Sequence, residues 1–314
     1  ATTTQLYSNA LGNWDSQLIA KLGLPARLFT PVAAPGTRKG QILASLCTEL
    51  SIPSLDVIAI CSHDTASAVV SMPTTDQDSI YLSCGTWSLM GIETDEPIIN
   101  KKTYEYNFTN EGGYGNIRFL KNIIGLWIIQ ECKREWESTL TGGTISYDTL
   151  VEEAMAEKQF EFIFDPNLDV FVKPGNMVER VRKMACNDKD RAIKPETRGQ
   201  IVRTIYENLA FTYRRTVNEI EEVTGKVYST IHVVGGGSQN KVLMQFTANA
   251  TGKNVVAGPA EATAYGNMAV QLISSGELSS LDEARQVIKS SADIQYFSPK
   301  DYELWNEVYE CRFS

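Results

Sequence analysis

A chain of 314 residues, 43% of them hydrophobic, can bury one large core or two smaller ones. Its net charge of −9, with both signs mixed along the chain, argues against nucleic acid or an anionic membrane as the main partner. Two histidines (His63 and His232) are too few for a histidine-rich metal centre, and six cysteines without C-x-x-C spacing suggest neither a zinc knuckle nor a disulfide framework.

The start at Ala1-Thr2-Thr3-Thr4 lacks Met and reads as the interior of a longer protein. In chain order, a helix is predicted near 15–22, ended by Gly23 and Pro25, then a Pro/Gly-rich connection and a second helix over 40–50. Residues 57–60 (Val-Ile-Ala-Ile) form a continuous apolar run of the kind found in strands buried on both faces. A short helix over 64–70 closes at Pro73, and the polar loop 74–78 marks a domain boundary, giving segments 1–77 and 78–314. Strands over 79–84 and 88–93 make a hairpin around Gly85-Thr86, and further extended segments are expected at 104–107 and 117–119. Ile124, Trp127, Ile128 and Cys132 then fall on one face of an amphipathic helix over 121–136. A helix over 147–158 and a strand over 160–164 follow. A long helix from 196 to 224 starts after Pro195 and ends at Gly225. The remainder alternates: strand 230–234, helix 242–247, strand 255–257 and helices over 263–274, 281–290 and after Asp301. Hairpins together with strand–helix alternation predict an α/β fold with a mixed sheet flanked by helices. No secretory signal or uninterrupted membrane-spanning run occurs, and a reducing, cytoplasmic location is expected.

Several places could carry chemistry. The strand 230–234 breaks into Gly235-Gly236-Gly237, after which a helix begins; glycine turns let a phosphate approach backbone N–H groups at the positive end of a helix dipole. A tight packing turn accounts for the same residues, and the dinucleotide fingerprint G-x-G-x-x-G fails because Asn240 stands where its third glycine belongs. Asp64 lies where a strand gives way to a helix, the position at which α/β proteins bind ligands, and a carboxylate there suits proton acceptance. Asp is equally a favoured helix cap, and His63 beside it reads as a substrate contact or as a structural residue. The hairpin tip with Gly85, Thr86 and Ser88 offers phosphate donors or an ordinary turn. Asn122 and Gln130 sit eight residues apart on the predicted 121–136 helix, facing a ligand or solvent.

Taken together these segments resemble the FGGY family of carbohydrate kinases. The resemblance rests on Ser62-His63-Asp64-Thr65-Ala66-Ser67-Ala68, on the stretch from Tyr81 to Gly91 around Cys84-Gly85-Thr86-Trp87, and on Asn110-Glu111-Gly112-Gly113. It continues through Leu120 to Trp127, Val233 to Asn240 and Ala257 to Ala262, in family order and over nearly the whole chain. It implies a ribonuclease H/actin-like ATPase fold, with 1–77 as the C-terminal part of a first, sugar-binding domain and 78–314 as the complete second, nucleotide-side domain. It implies Asp64 as catalytic base, His63, Thr65 and Asn122 as sugar contacts, and Thr86, Gln130, Gly236 and Asn240 as ATP contacts. ATP and Mg2+ are the implied cofactors, with no residue of this chain assigned to the metal. The members it resembles most phosphorylate L-rhamnulose; another ketose or sugar alcohol, or a non-catalytic actin-like nucleotide-binding module, are the alternatives. The family's opening Asp-x-Gly-Thr phosphate loop has no counterpart here, so the 314 residues alone are expected to be inactive.

Overall fold

The computed structural model describes residues 1–76, 78–140, 142–187 and 192–313. Position 77, inside the predicted boundary loop, lies outside the described residues. The chain opens with the antiparallel pair β1 (Tyr7–Ser8) and β2 (Asn13–Trp14) and the helix α1 (Ser16–Lys21). Asp15 caps α1 by accepting the Leu18 N–H at 2.9 Å. The helix predicted over 40–50 is shorter, because β3 (Arg38–Gln41) takes its start and α2 (Ala44–Leu50) the rest. Gly40 has φ +126°, a conformation no helix residue adopts. β3 pairs antiparallel with β4 (Asp56–Ile58), and the two form a sheet of their own. Within these 314 residues the run is not buried on both faces: Val57 is 47% exposed. An apolar run signals a preference for burial but does not supply a second layer.

α3 (Asp64–Val70) follows as predicted, buried at every residue after its first. β5 (Ile80–Cys84) and β6 (Trp87–Thr94) flank the expected tip at Gly85-Thr86. The segment predicted as extended at 104–107 begins instead as α4 (Lys101–Glu105), nucleated by a reciprocal capping box between Asn100 and Thr103. β7 (Thr109–Gly112) and β8 (Ile117–Ile124) pair antiparallel. β8 takes over the first residues of the helix predicted from 121, and α5 covers only Trp127–Ser138. Lys121-Asn122-Ile123-Ile124 fits either period by pattern alone.

Next come α6 (Tyr147–Ala156), β9 (Phe162–Ile163), α7 (Met177–Met184) and β10 (Cys186–Asn187), which pairs antiparallel with β9. The 27-residue α8 (Arg198–Thr224) starts at a Thr197–Gln200 capping box and ends at a left-handed Gly225, as its sequence signals. β11 (Thr230–Val234), α9 (Lys241–Thr251), β12 (Asn254–Ala257), α10 (Ala262–Ser275) and α11 (Leu281–Ser291) continue the alternation. β13 (Gln295–Phe297), absent from the prediction, precedes α12 (Tyr302–Phe313).

Seven strands form one mixed sheet in the order β13-β12-β11-β5-β6-β8-β7, with β11 and β12 parallel and the β12/β13 and β7/β8 pairs antiparallel. The chain divides into two compact units. The first comprises 1–81, 91–121 and 258–294, and the second 82–90, 122–257 and 295–314. Described residues on both sides of the expected 77/78 boundary thus belong to the first unit. In that unit α3 lies against α10, and Gly266 permits the approach because a Cβ there would overlap the Ser67 carbonyl. Val70, Val270 and Ile288 seal the contact, each fully buried side chain stabilising by about 1.5–3 kcal/mol. In the second unit α8 is the core helix, packed against α6 and α9.

Candidate functional site

Two groups of candidate residues emerge, each within one unit. In the second unit, the β5–β6 hairpin tip and the start of α5 are tied by the chain itself: the Gly85 carbonyl accepts the Leu126 N–H at 3.1 Å and the Thr86 carbonyl accepts the Trp127 N–H at 3.0 Å. These bonds satisfy amides that a helix N-terminus leaves open, at a helix with no side-chain cap. They also bring Thr86 Oγ1 within 3.2 Å of Gln130 Oε1, to which it donates.

The glycine triplet shows both behaviours its sequence allowed. Gly235 sits at φ +89°, and a Cβ there would stand 3.0 Å from the Cys84 carbonyl oxygen. At Gly237 a Cβ would overlap Cys84 Sγ. Both are therefore packing glycines against the end of β5. Gly236 has open space where its Cβ would be. Asn240 caps α9 by accepting the Leu243 N–H at 2.9 Å, and the buried Tyr206 hydroxyl has no hydrogen-bond partner among the described residues. Thr86, Gln130, Gly236, Asn240 and Tyr206 line one cleft of about 680 Å³, a volume within the range of small-molecule sites. All four predicted nucleotide-side residues are in this cleft. Tyr206, placed by α8, was not foreseen, because its helix reads as pure core. Burial pushes its hydroxyl well above the ordinary tyrosine value, so it stays a neutral hydroxyl at the cleft.

In the first unit, Asp64 opens α3 with His63 as the preceding cap residue. The Asp64 side chain is 78% exposed; its Oδ1 accepts the Thr65 N–H at 2.7 Å and lies 3.5 Å from His63 Nε2. Thr65 itself is buried. Beneath His63, Arg118 on β8 and Glu111 on β7 stand directly opposite in register. The buried Arg118 donates through Nη2 to Glu111 Oε2 at 2.9 Å and through Nε to the Gly112 carbonyl at 3.2 Å. The same Nη2 is 3.3 Å from His63 Nδ1. Neither Glu111 nor Arg118 was singled out from the sequence, although opposite charges flanking the Gly112-Gly113 turn are the signal of a cross-strand pair.

The far end of α3 is fixed as well. Buried Arg285 donates to the Val69 carbonyl at 3.1 Å, the Val70 carbonyl at 3.3 Å and Glu93 Oε2 at 2.7 Å, which satisfies terminal helix carbonyls. The Cys61 thiol just before α3 is pushed up to about 11 by burial, which keeps it a neutral thiol. Asn122 requires a correction. It is exposed on β8 rather than on a helix shared with Gln130, it belongs to the second unit, and it is not among the residues lining the cleft. The sheet took the segment that the 3.6-residue pattern had assigned to the helix. Among the described residues no trio of His, Cys, Asp or Glu could hold a metal ion, and no helix is long and apolar enough to cross a membrane.

Residues 80–275 match the model of the C-terminal domain of the FGGY family of carbohydrate kinases. The chain is 39% identical over 310 residues to the rhamnulokinase of Bacteroides thetaiotaomicron, covering 98% of this chain and 62% of that protein. It is also 39% identical over 301 residues to the rhamnulokinase of Bacillus subtilis, covering 96% and 61%. The chain thus spans about three-fifths of the length of these curated relatives. Among solved structures, gluconate kinase from Lactobacillus acidophilus superposes with a TM-score of 0.72 at 16% identity, covering 98% of this chain and 61% of that one. The Plasmodium falciparum glycerol kinase with ADP gives 0.71 at 15% identity, covering 98% and 61%. At such identities the likeness is one of fold. With the family model covering most of its length and both relatives running along nearly all of it, the chain belongs to the FGGY family of carbohydrate kinases.

Proposed function

We propose that this protein phosphorylates L-rhamnulose at its 1-hydroxyl with ATP. The observation that carries the reading is the 39% identity to rhamnulokinases over nearly the whole chain, against 14% to a xylulose kinase of the same fold. In this reading Asp64 accepts the hydroxyl proton, its carboxylate standing exposed at the start of α3. His63, Thr65 and Asn122 remain the proposed sugar contacts. Thr86, Gln130, Gly236 and Asn240 hold the nucleotide, which the 680 Å³ cleft they share supports. Phosphoryl transfer asks mainly for alignment and charge stabilisation, so residues that fix geometry carry most of the work.

Magnesium would enter on the nucleotide, where it neutralises phosphate charge. Such an ion keeps several waters and is held mainly by the substrate phosphates, so no residue of this chain is assigned to it. The domain reading goes with the function: 1–77 as the end of the sugar-binding domain and 78–314 as the nucleotide-side domain, supported by a family match that begins at residue 80. A cytoplasmic location is part of the proposal, in keeping with six free cysteines.

The test is a coupled ADP-release assay on two preparations. One is the 314-residue chain, and the other is the same chain joined to the part of the Bacteroides relative that it does not span. L-rhamnulose should be turned over by the second preparation, well ahead of xylulose and glycerol. Preference for another sugar would move the substrate assignment. ADP release from neither preparation with any sugar would reject the kinase reading in favour of a nucleotide-binding module.

A further inference from the structure

The geometry points to Arg118 as the residue that decides which nitrogen of His63 carries the proton, and through that as a positioning residue for Asp64. Its consequence for turnover rests on the proposed kinase activity, whereas the geometry does not.

A guanidinium only donates. Nη2 of Arg118 has two hydrogens; one goes to Glu111 Oε2 at 2.9 Å, and the other faces His63 Nδ1 at 3.3 Å. The fork cannot rotate away, because Nε is held by the Gly112 carbonyl and the side chain is only 1% exposed. A proton on Nδ1 would set two N–H donors against each other. Glu111 Oε2, 3.5 Å from Nδ1, already accepts from Arg118, and a proton turned toward it would still meet the nearer Nη2 donor at 3.3 Å. Nδ1 is therefore bare, and the neutral imidazole carries its proton on Nε2, which lies 3.5 Å from Asp64 Oδ1. That oxygen also takes the Thr65 N–H at 2.7 Å. The Thr65 N–H holds Oδ1 and the His63 Nε2–H faces the same oxygen from 3.5 Å, which leaves Oδ2 as the oxygen to receive a substrate proton.

A buried ion pair is by itself weak evidence for stability, since apolar residues of similar volume often replace one at little cost. What an apolar pair cannot do is present a donor to Nδ1. Glu111 fixes Arg118, Arg118 fixes the His63 tautomer, and His63 orients the carboxylate.

The chain's two histidines make this directly observable by ring-nitrogen NMR on the 314-residue chain with 15N-labelled histidine, His232 on β11 serving as internal control. In the wild type His63 should be in the Nε2–H form. In Arg118→Met the freed Glu111 carboxylate should draw the proton to Nδ1 in more than half of the molecules, with His232 unchanged. A wild-type His63 in the Nδ1–H form, or an unaltered tautomer in folded Arg118→Met, overturns the proposal. Should that variant not fold, Arg118→Met combined with Glu111→Leu leaves no lone buried charge. Its Nδ1 resonance should move away from the hydrogen-bonded position, and an unmoved resonance overturns the proposal equally. In the coupled assay the double variant should lose about tenfold in kcat with the KM for ATP unchanged. Unchanged kcat alongside an altered tautomer would reject the positioning role. Because the tautomer is read without turnover, a protein that holds Nε2–H but phosphorylates no sugar counts against the proposed function and in favour of the geometry.

Discussion

Single residues here have separable duties. Asp64→Asn keeps an oxygen to accept the Thr65 N–H, so the fold should be indifferent to it while proton acceptance is lost. A fall in kcat of roughly a hundredfold or more is expected, about 2.7 kcal/mol of barrier, with the KM for ATP little changed. Near-normal turnover by this variant would remove Asp64 from the mechanism. The glycine triplet makes a second distinction. Gly236→Val points into open space, so it should raise the KM for ATP without moving the melting temperature. Gly237→Ala drives a methyl into Cys84 and should destabilise by about 1–3 kcal/mol before any ligand is added. The reverse pattern, with 236 structural and 237 permissive, would mean that the cleft-facing position has been misassigned. The sequence showed three glycines and two possible reasons for them. Only the position of Cys84, brought there by a strand some 150 residues earlier, separates the reasons.

At the scale of elements, α8 carries a pH signature. Glu207 is buried on it, with Oε1 bonded to Arg203 Nε at 2.7 Å and Oε2 accepting the Phe160 N–H at 2.9 Å. Burial raises its carboxyl from an ordinary 4.5 to about 7, against the lowering pull of Arg203. Between those values the folded chain keeps a proton that the unfolded chain has released, so stability should fall as pH rises from about 4.5 to 7 and then level off. The total is at most about 3 kcal/mol. Glu207→Gln keeps an acceptor for Phe160 and abolishes the titration, so melting curves across this range should flatten; an unchanged slope would place its origin elsewhere. The elements legible in advance were those with their own punctuation: α1 from Asp15, α8 between Thr197 and Gly225, and β11 before the glycines. The misread ones depended on partners. The segment after Lys121 is strand because β8 is already paired, α4 exists because Asn100 and Thr103 cap each other, and β13 forms on the edge of β12, which no local pattern announces.

For the whole molecule, burial is unevenly spread. Of the first sixty residues only Ile19 is buried, whereas α8 is buried along most of its length. Local opening is cheapest where few apolar contacts resist it, so limited proteolysis should cut within residues 1–60 before it reaches α8. Mass spectrometry of the first products checks this, and an initial cut inside α8 would contradict it. Three of the nucleotide-side candidates, Thr86, Gly236 and Asn240, were legible because each sits at a turn or helix cap, and these announce themselves in sequence; Gln130 lies within α5. The Glu111–Arg118 pair was not, because its meaning lies in a cross-strand register. The division of the chain has one more consequence, for inheritance. The polypeptide passes between its two units at 81/82, 90/91, 121/122, 257/258 and 294/295. A single crossover between the genes of two relatives therefore exchanges portions of both units wherever it falls between residues 82 and 294. Each unit has to work with whatever version of the other a recombination event delivers, so viable recombinants should be found between close relatives and become rare as the parents diverge.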